Sequence, residues 1–428
     1  MESIRVHKDN IAVGVLRSDE LGRVQFAYDV AALDQPELAI SLRMPLRKAP
    51  YEDHVALPFF ENLLPEGDIR RVVAMTTHHT PNDVVGLLGV LGGECAGAVS
   101  FWPMHKAPSS PPRYAPCSSH DLAAAFGSAN GQSRMSSVLQ DARVSMSGAQ
   151  NKLVLYRRPQ SGDPAEGVTL DYRLPVAGAP STVLVKRDRG HFTGLLHNEL
   201  VAMTLMRAAG VPTALYAVSA LADDVYETAR FDRVLAEDGT VTRLHAEDGC
   251  QLTGKVSQSK YAESGGPTYA ELIAMLVRHS ADARADGEIL FRWAVANLAL
   301  GNRDAHAKNI SVLHDASGAI RIAPAYDVVC TLAYPPIDVR LPIPFGGEKY
   351  VSTLSVHALK VAAREFKLTA ARAGQIAEDV INTIEAALAD TLHNIAESAG
   401  HHAILDSLAT TIADESTMVR GKLLAGSH

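Results

Sequence analysis

The segment from Gly287 to Asp327 constrains this chain more than any other. An apolar helical pattern runs to Leu300 and stops at Gly301-Asn302-Arg303-Asp304-Ala305-His306-Ala307-Lys308-Asn309. Ile310–Leu313 and Ala319–Ile322 then flank Asp315-Ala316-Ser317-Gly318, a turn composition between two short apolar runs, which predicts a hairpin. That hairpin hands the chain to Ala325-Tyr326-Asp327. A fold built this way returns Asp327 to the neighbourhood of Asp304 and Asn309. Two carboxylates and an amide gathered there match the needs of phosphoryl transfer. One carboxylate stands beside the attacking hydroxyl, and the amide and the other carboxylate hold magnesium against the phosphates. The spacing R-D-x-x-x-x-N is that of a protein-kinase catalytic loop, with Asn302 where a histidine is usual. Asn, Asp and Gly also gather in ordinary loops, and Asp caps helices. The full spacing, the hairpin and the later carboxylate together favour the chemical reading.

Composition admits such a protein and excludes others. A length of 428 residues suggests two to three domains and a large core. Hydrophobic residues make up 47% and charged residues 21%, as in globular proteins. The net charge of 40 − 48 = −8 disfavours direct binding to a nucleic-acid backbone. Cys95, Cys117, Cys250 and Cys330 lie far apart with no C-x-x-C pair, which argues against a zinc site or disulfide framework and fits a reducing cytoplasm. The N-terminus has no apolar core after its charges, so no secretory signal is expected. Ile289–Leu300 is interrupted by Arg292 and Asn297 and is too short to span a bilayer. These features predict a cytoplasmic protein.

Lys106–Pro116 holds four prolines in eleven residues and reads as a linker, excluded from helix and sheet. We therefore expect a mixed α/β subdomain over 1–107, a connecting segment over 108–135 and a kinase-like domain over 136–428. Before the linker, Ile11–Leu16 and Val24–Tyr28 predict strands, and Leu57–Leu64 and Val84–Leu91 predict helices. After it, Leu153–Tyr156, Thr182–Lys186, Ala217–Leu221 and Val225–Phe231 predict strands. A helix is expected from Asn198, as its cap, to Ala209. From Thr268 onward helices dominate, beginning with a Thr268/Glu271 capping box and ending in an amphipathic tail over Thr369–Leu408. The fold class is α+β: a strand-rich lobe (136–250, with its hinge) and a helical lobe (251–428), the two-lobed layout of a kinase.

Lys186 ends a predicted strand upstream of a helix carrying Glu199, the usual arrangement for gripping the α- and β-phosphates. A strand-end lysine is also common without a role. Ser147-Gly148-Ala149-Gln150-Asn151-Lys152 is a small-residue turn, neither a Walker A motif nor a three-glycine kinase loop. Its backbone N–H groups are placed to cover phosphates, with Lys152 adding charge. None of the 17 histidines has metalloenzyme spacing. His306, inside the loop, is a candidate phosphate or nucleotide contact.

Several further stretches carry a resemblance over essentially the whole chain. They include Ser41–Leu46, Phe60–Pro65, Gly92–Val99, Ser147–Lys152, Asn198-Glu199, Arg230–Arg233, Glu247–Gln251, Lys260-Tyr261 with Gly265-Gly266-Pro267, Asp304–Asn309 and Tyr326-Asp327. In these the chain resembles the HipA family, the kinase toxins of HipBA toxin–antitoxin systems. The resemblance implies a serine/threonine-protein kinase that uses ATP and magnesium and phosphorylates an aminoacyl-tRNA synthetase, typically the glutamyl enzyme, causing growth arrest or persistence. It implies a dimeric DNA-binding antitoxin, HipB, as partner, with the toxin as corepressor. By position, Asp304 is the catalytic base, Asn309 and Asp327 hold magnesium, and Lys186 grips the phosphates. Ser147 to Lys152 form the phosphate loop. Backbone at Ala229, Arg230 and Phe231 receives adenine, and His306, Lys308 and Tyr326 join the nucleotide set. Ser145 aligns with a serine whose autophosphorylation silences the kinase. Ala305, Ala229 and Asn151 depart from the family pattern of glycine, glutamate and glutamate. A small-molecule phosphotransferase of the aminoglycoside type and a non-catalytic corepressor are the alternative functions.

Overall fold

The computed structural model describes residues 2–126, 143–145, 152–159, 170–187, 192–222, 224–334 and 337–425. The chain divides into two compact units. One comprises Met1–Arg187, Val218–Glu247 and Leu313–Gly318, the other Asp188–Ala217, Asp248–Val312 and Ala319–His428. The first 107 residues and the strands that follow them thus share one unit.

In that unit four antiparallel strands run in the order Val24–Tyr28, Ile11–Ser18, Glu2–Lys8, Val99–Pro103. Register sets one apolar face: Ile4 opposes Leu16, Leu16 opposes Phe26, and Val6 opposes Phe101, all buried. Helices Asp53–Glu61 and Val84–Leu91 belong to the same core. Phe60 packs tilted against Phe26 and edge-on against Phe101, with ring centroids 5.4 and 5.8 Å apart. The strand Glu2–Lys8 escaped the sequence reading because its charged residues interrupt a short apolar alternation.

A second sheet places Arg113–Pro116, Leu170–Val176, Lys152–Pro159, Val183–Arg187 and Val225–Ala229 in that order. The expected linker is therefore corrected in its last part, where Arg113 to Pro116 pair with Val176 to Arg173. An edge strand tolerates proline because one of its sides needs no N–H donor.

The second unit is helical. Its 30-residue helix Ala370–Ala399 packs against Leu195–Ala208, Ala283–Ala299, Val356–Glu365 and Ile404–Leu423. Ile376, Val380, Ile384 and Leu388 form its buried stripe, as their spacing predicts. The tail is two helices rather than one, broken at Gly400 with φ +82°. Thr268 and Glu271 make the predicted capping box. Asn198 does not cap its helix: the cap is Gly194, and Asn198 is buried on the helix, exchanging two hydrogen bonds with the Cys330 backbone at 2.9 and 2.7 Å. Among the described residues no helix is long and apolar enough to cross a membrane.

A buried charge cluster holds the first unit together. Glu94, without solvent exposure, accepts from Arg230 at 2.8 Å, Arg233 at 3.0 Å, Arg243 at 2.7 Å and the Ser181 hydroxyl at 2.8 Å. Asp232 bonds Arg230 and the Gly97 N–H, both at 2.7 Å. Gly97 sits at φ +72°, and a Cβ there would lie 2.8 Å from Ala246 N, so only glycine fits. Burial alone would raise the Glu94 pKa, but Arg233, Arg243 and Arg230 hold it at about 2. Its contribution to stability is complete above the usual value near 4.5 and is lost as pH falls toward about 2. Glu94→Gln leaves buried guanidinium charge without its counter-ion, and the expected loss is about 3–5 kcal/mol in urea unfolding at neutral pH. A loss under about 1 kcal/mol would show that the cluster is incidental.

Candidate active site

The helix Ala283–Ala299 delivers the chain into the Asp304–Asn309 loop. From Gly301 to Ile310, Asp304 alone is not buried, and its side chain is 48% exposed. Its neighbours fix it through the backbone. The Asp304 N–H donates to Asn302 Oδ1 at 2.9 Å, and Asn309 Nδ2 donates to the Asp304 carbonyl at 2.9 Å. Asn302 is anchored in turn by Nδ2 to Asn297 Oδ1 on the helix, at 2.7 Å. Arg303 points elsewhere: its N–H meets Thr331 Oγ1 at 2.7 Å and its guanidinium meets Glu415 at 2.6 Å. The result is a rigid loop that presents one carboxylate.

Because Nδ2 of Asn309 is committed, Oδ1 is the end that remains for a cation. Asp327 stands at a left-handed backbone position, φ +58°, which aspartate tolerates better than most residues. Oxygen donors of this kind suit magnesium. Asp327 is also close enough to oppose the depression of the His306 pKa. Burial, with Lys260 and Lys308 adding to it, pushes that value down to about 3, so His306 is neutral at physiological pH. Its Nε2 lies 3.7 Å from Asp304 Oδ1. Lys308 is buried with its ammonium 3.1 Å from Asp248, and Tyr326 donates to the Lys308 carbonyl at 2.7 Å. Both brace the loop. Ala305 has no left-handed backbone, so its methyl group is accommodated there.

In the first unit, Lys152 and Lys186 are register partners on adjacent antiparallel strands, and Lys186 is also opposite Tyr226. Residues so paired share a face, and like charges set opposite each other repel. The Lys186 ammonium lies 5.9 Å from the Tyr226 ring centroid. In the hinge, the Arg230 N–H is committed to Thr182 O at 2.9 Å, and its side chain is spent on Glu94 and Asp232. Arg230 therefore acts as a structural group, with Ala229 in the strand before it and Phe231 after it. Ser145 is fully buried, its Oγ donating to Leu63 O at 2.8 Å. Ser147, Gly148, Ala149, Gln150 and Asn151 lie outside the described residues. Glu199 is buried in the helix Leu195–Ala208 of the second unit.

Sequence reasoning missed Asn302 as the loop's internal anchor and gave Tyr261 no role, although the second lay inside a recognised motif. Asn302→Ala strips the Asp304 N–H and Asn297 Oδ1 of their partners. The expected cost is about 1–3 kcal/mol in urea unfolding, and an unchanged midpoint would contradict the anchor role.

Two family models match the chain. The model described as HipA N-terminal domain matches residues 4–102, and that described as HipA-like C-terminal domain matches residues 144–388. "Putative kinase Y4mE" of Sinorhizobium fredii is 30% identical over 417 residues, covering 95% of this chain and 96% of that protein. "Serine/threonine-protein kinase toxin HipA" of Shewanella oneidensis is 24% identical, covering 84% of this chain and 82% of its own. The solved complex of Shewanella oneidensis HipA, HipB and operator DNA contains a chain that superposes with a TM-score of 0.80 at 20% identity, covering 98% of both. That likeness establishes the shared α+β fold. With a domain model spanning more than half of its length and a 30% identical relative along nearly all of it, the chain belongs to the HipA family.

Proposed function

We propose that this chain is a serine/threonine-protein kinase toxin that transfers the γ-phosphoryl group of ATP to a protein hydroxyl. The observation that carries the reading is the loop in which Asp304 alone is exposed while Asn302 and Asn309 fix its backbone. A base must reach the substrate hydroxyl and yet be held still, and this loop supplies both conditions. Asp304 takes the proton of the attacking hydroxyl. Asn309 and Asp327 would hold magnesium, which would supply positive charge to offset that of the phosphates. Lys186 and Lys152, register partners on adjacent strands, bind the phosphates. Ser147 to Asn151 cover the phosphates through backbone N–H groups, and backbone at Ala229 and Phe231 receives adenine. His306, being neutral, serves as a hydrogen-bonding group and not as a phosphate cation.

The protein target in this reading is an aminoacyl-tRNA synthetase such as the glutamyl enzyme, whose modification stops translation and causes growth arrest or persistence. The toxin designation of the Shewanella oneidensis relative supports a toxic action, and the synthetase target is what the family resemblance implies. The partner is a HipB-like DNA-binding antitoxin dimer, as the solved Shewanella complex suggests. A net charge of −8 gives the chain little attraction of its own for a nucleic-acid backbone, so its corepressor contact with DNA runs through the antitoxin. Ser145 is the autophosphorylation site. Its buried hydroxyl has no room for a phosphate, so modification expels the segment that leads into the phosphate loop and silences the enzyme.

The test is transfer of label from γ-labelled ATP with magnesium to host-extract protein. Wild type is expected to label protein, and chelation of magnesium to abolish labelling. Asp327→Asn and Lys186→Met are each expected to reduce it by about a hundredfold or more. Equal labelling by the variants would overturn the reading, and label confined to small molecules would favour the aminoglycoside-type alternative. For Ser145, intact-mass analysis of protein produced without antitoxin is expected to show one phosphate, absent in Ser145→Ala.

A further inference from the structure

Lys260-Tyr261 with Gly265-Gly266-Pro267 is the motif to which the chemistry above gives no task. Its backbone is built as a pedestal. Short 3-10 turns, Ser257–Ser259 and Ala262–Ser264, flank Tyr261. The Tyr261 carbonyl accepts from Ser264 N at 3.0 Å and Gly266 N at 3.1 Å. A Cβ on Gly266 would lie 2.3 Å from the Ser259 carbonyl oxygen and 2.6 Å from that of Tyr261. The turn therefore closes this tightly only on glycine. Gly265, at φ +76°, makes the reversal that precedes it.

What the pedestal holds is a side chain aimed at the candidate base. The Tyr261 hydroxyl donates to Asp304 Oδ1 at 2.7 Å. The ring is fixed from two sides: it meets His306 edge to face with centroids 5.3 Å apart, and the Lys260 ammonium lies 5.4 Å from its centroid. Side-chain hydrogen bonds from Asn302 and Asn309 hold the Asp304 main chain. The Tyr261 bond acts on the carboxylate itself, at one of its two oxygens.

We propose that Tyr261 is the positioning residue of the Asp304 base, and that the Gly265-Gly266 turn exists to set its hydroxyl. The inference rests on the kinase reading of Asp304. Tyr261 exchanges no proton with substrate; it fixes the plane of the carboxylate that does. A hydrogen bond to a charged group is strong enough that its loss slows the reaction without weakening nucleotide binding.

The experiment measures the initial rate of label transfer from ATP–magnesium to host-extract protein as ATP is varied, for wild type, Tyr261→Phe, Asp304→Asn and the double variant. Phenylalanine keeps the ring contacts and deletes only the hydroxyl. The expected result is a limiting rate about ten- to a hundredfold lower in Tyr261→Phe, with the KM for ATP and the thermal midpoint unchanged. In the Asp304→Asn background the same change is expected to cost nothing further. A wild-type limiting rate in Tyr261→Phe, with Asp304→Asn inactive, would overturn the positioning role and leave the kinase reading standing. A raised KM with an unchanged limiting rate would also overturn it, by making Tyr261 a binding residue. Activity retained in Asp304→Asn would overturn both.

Discussion

Burial without water obliges each charged or amide side chain to find a protein partner, and this one constraint shapes both units. In the first it produces the Glu94 cluster. A carboxylate with no exposure is stable there only because three arginines and a serine meet it, and a left-handed glycine at 97 donates its N–H to Asp232. Such clusters add little net stability over an apolar core, but they punish any partial loss. They also specify which segments meet: the Gly92–Val99 stretch is tied to Arg230–Arg233 by bonds that apolar contact alone would not select. In the second unit the same constraint turns Asn302, Asn309 and Lys308 inward as braces, and from Gly301 to Ile310 Asp304 is what remains facing out.

Catalytic potential therefore arises from contrast rather than from a gathering of reactive groups. Of the loop's polar residues Asp304 is the one not buried, and Asn302 and Asn309 spend hydrogen bonds on holding its backbone. His306 illustrates the point: it lies beside Asp304 but is too deeply buried to carry charge at neutral pH. The lysines at 152 and 186 stand opposite each other on one face of the first unit's second sheet.

The sequence revealed the loop because its chemistry is written in local spacing. The hairpin after it was equally legible, as Ser311–His314 and Ile320–Ile322 are the strands expected within a residue or two. What stayed hidden depends on distance along the chain. Glu94 finds its arginines 136 to 149 residues away, Asn198 finds Cys330 after 132, and Tyr261 reaches Asp304 across 43. No spacing rule covers such pairs. The opposition of Lys152 and Lys186 likewise needed strand register, which one sequence does not display. Arg113–Pro116 was misjudged because proline density marks edges as well as linkers, and Asn198 because a residue good at capping is also good at holding a distant backbone.

The central claim is that Asp304 acts in the chemical step and not in holding the nucleotide. It is tested most directly by measuring ATP affinity, in magnesium, and single-turnover phosphoryl transfer on the same preparation of Asp304→Asn. The account predicts ATP affinity within about twofold of wild type and transfer slower by a factor on the order of a hundred to ten thousand. Transfer at the wild-type rate, or a loss explained wholly by weaker ATP binding, would contradict it.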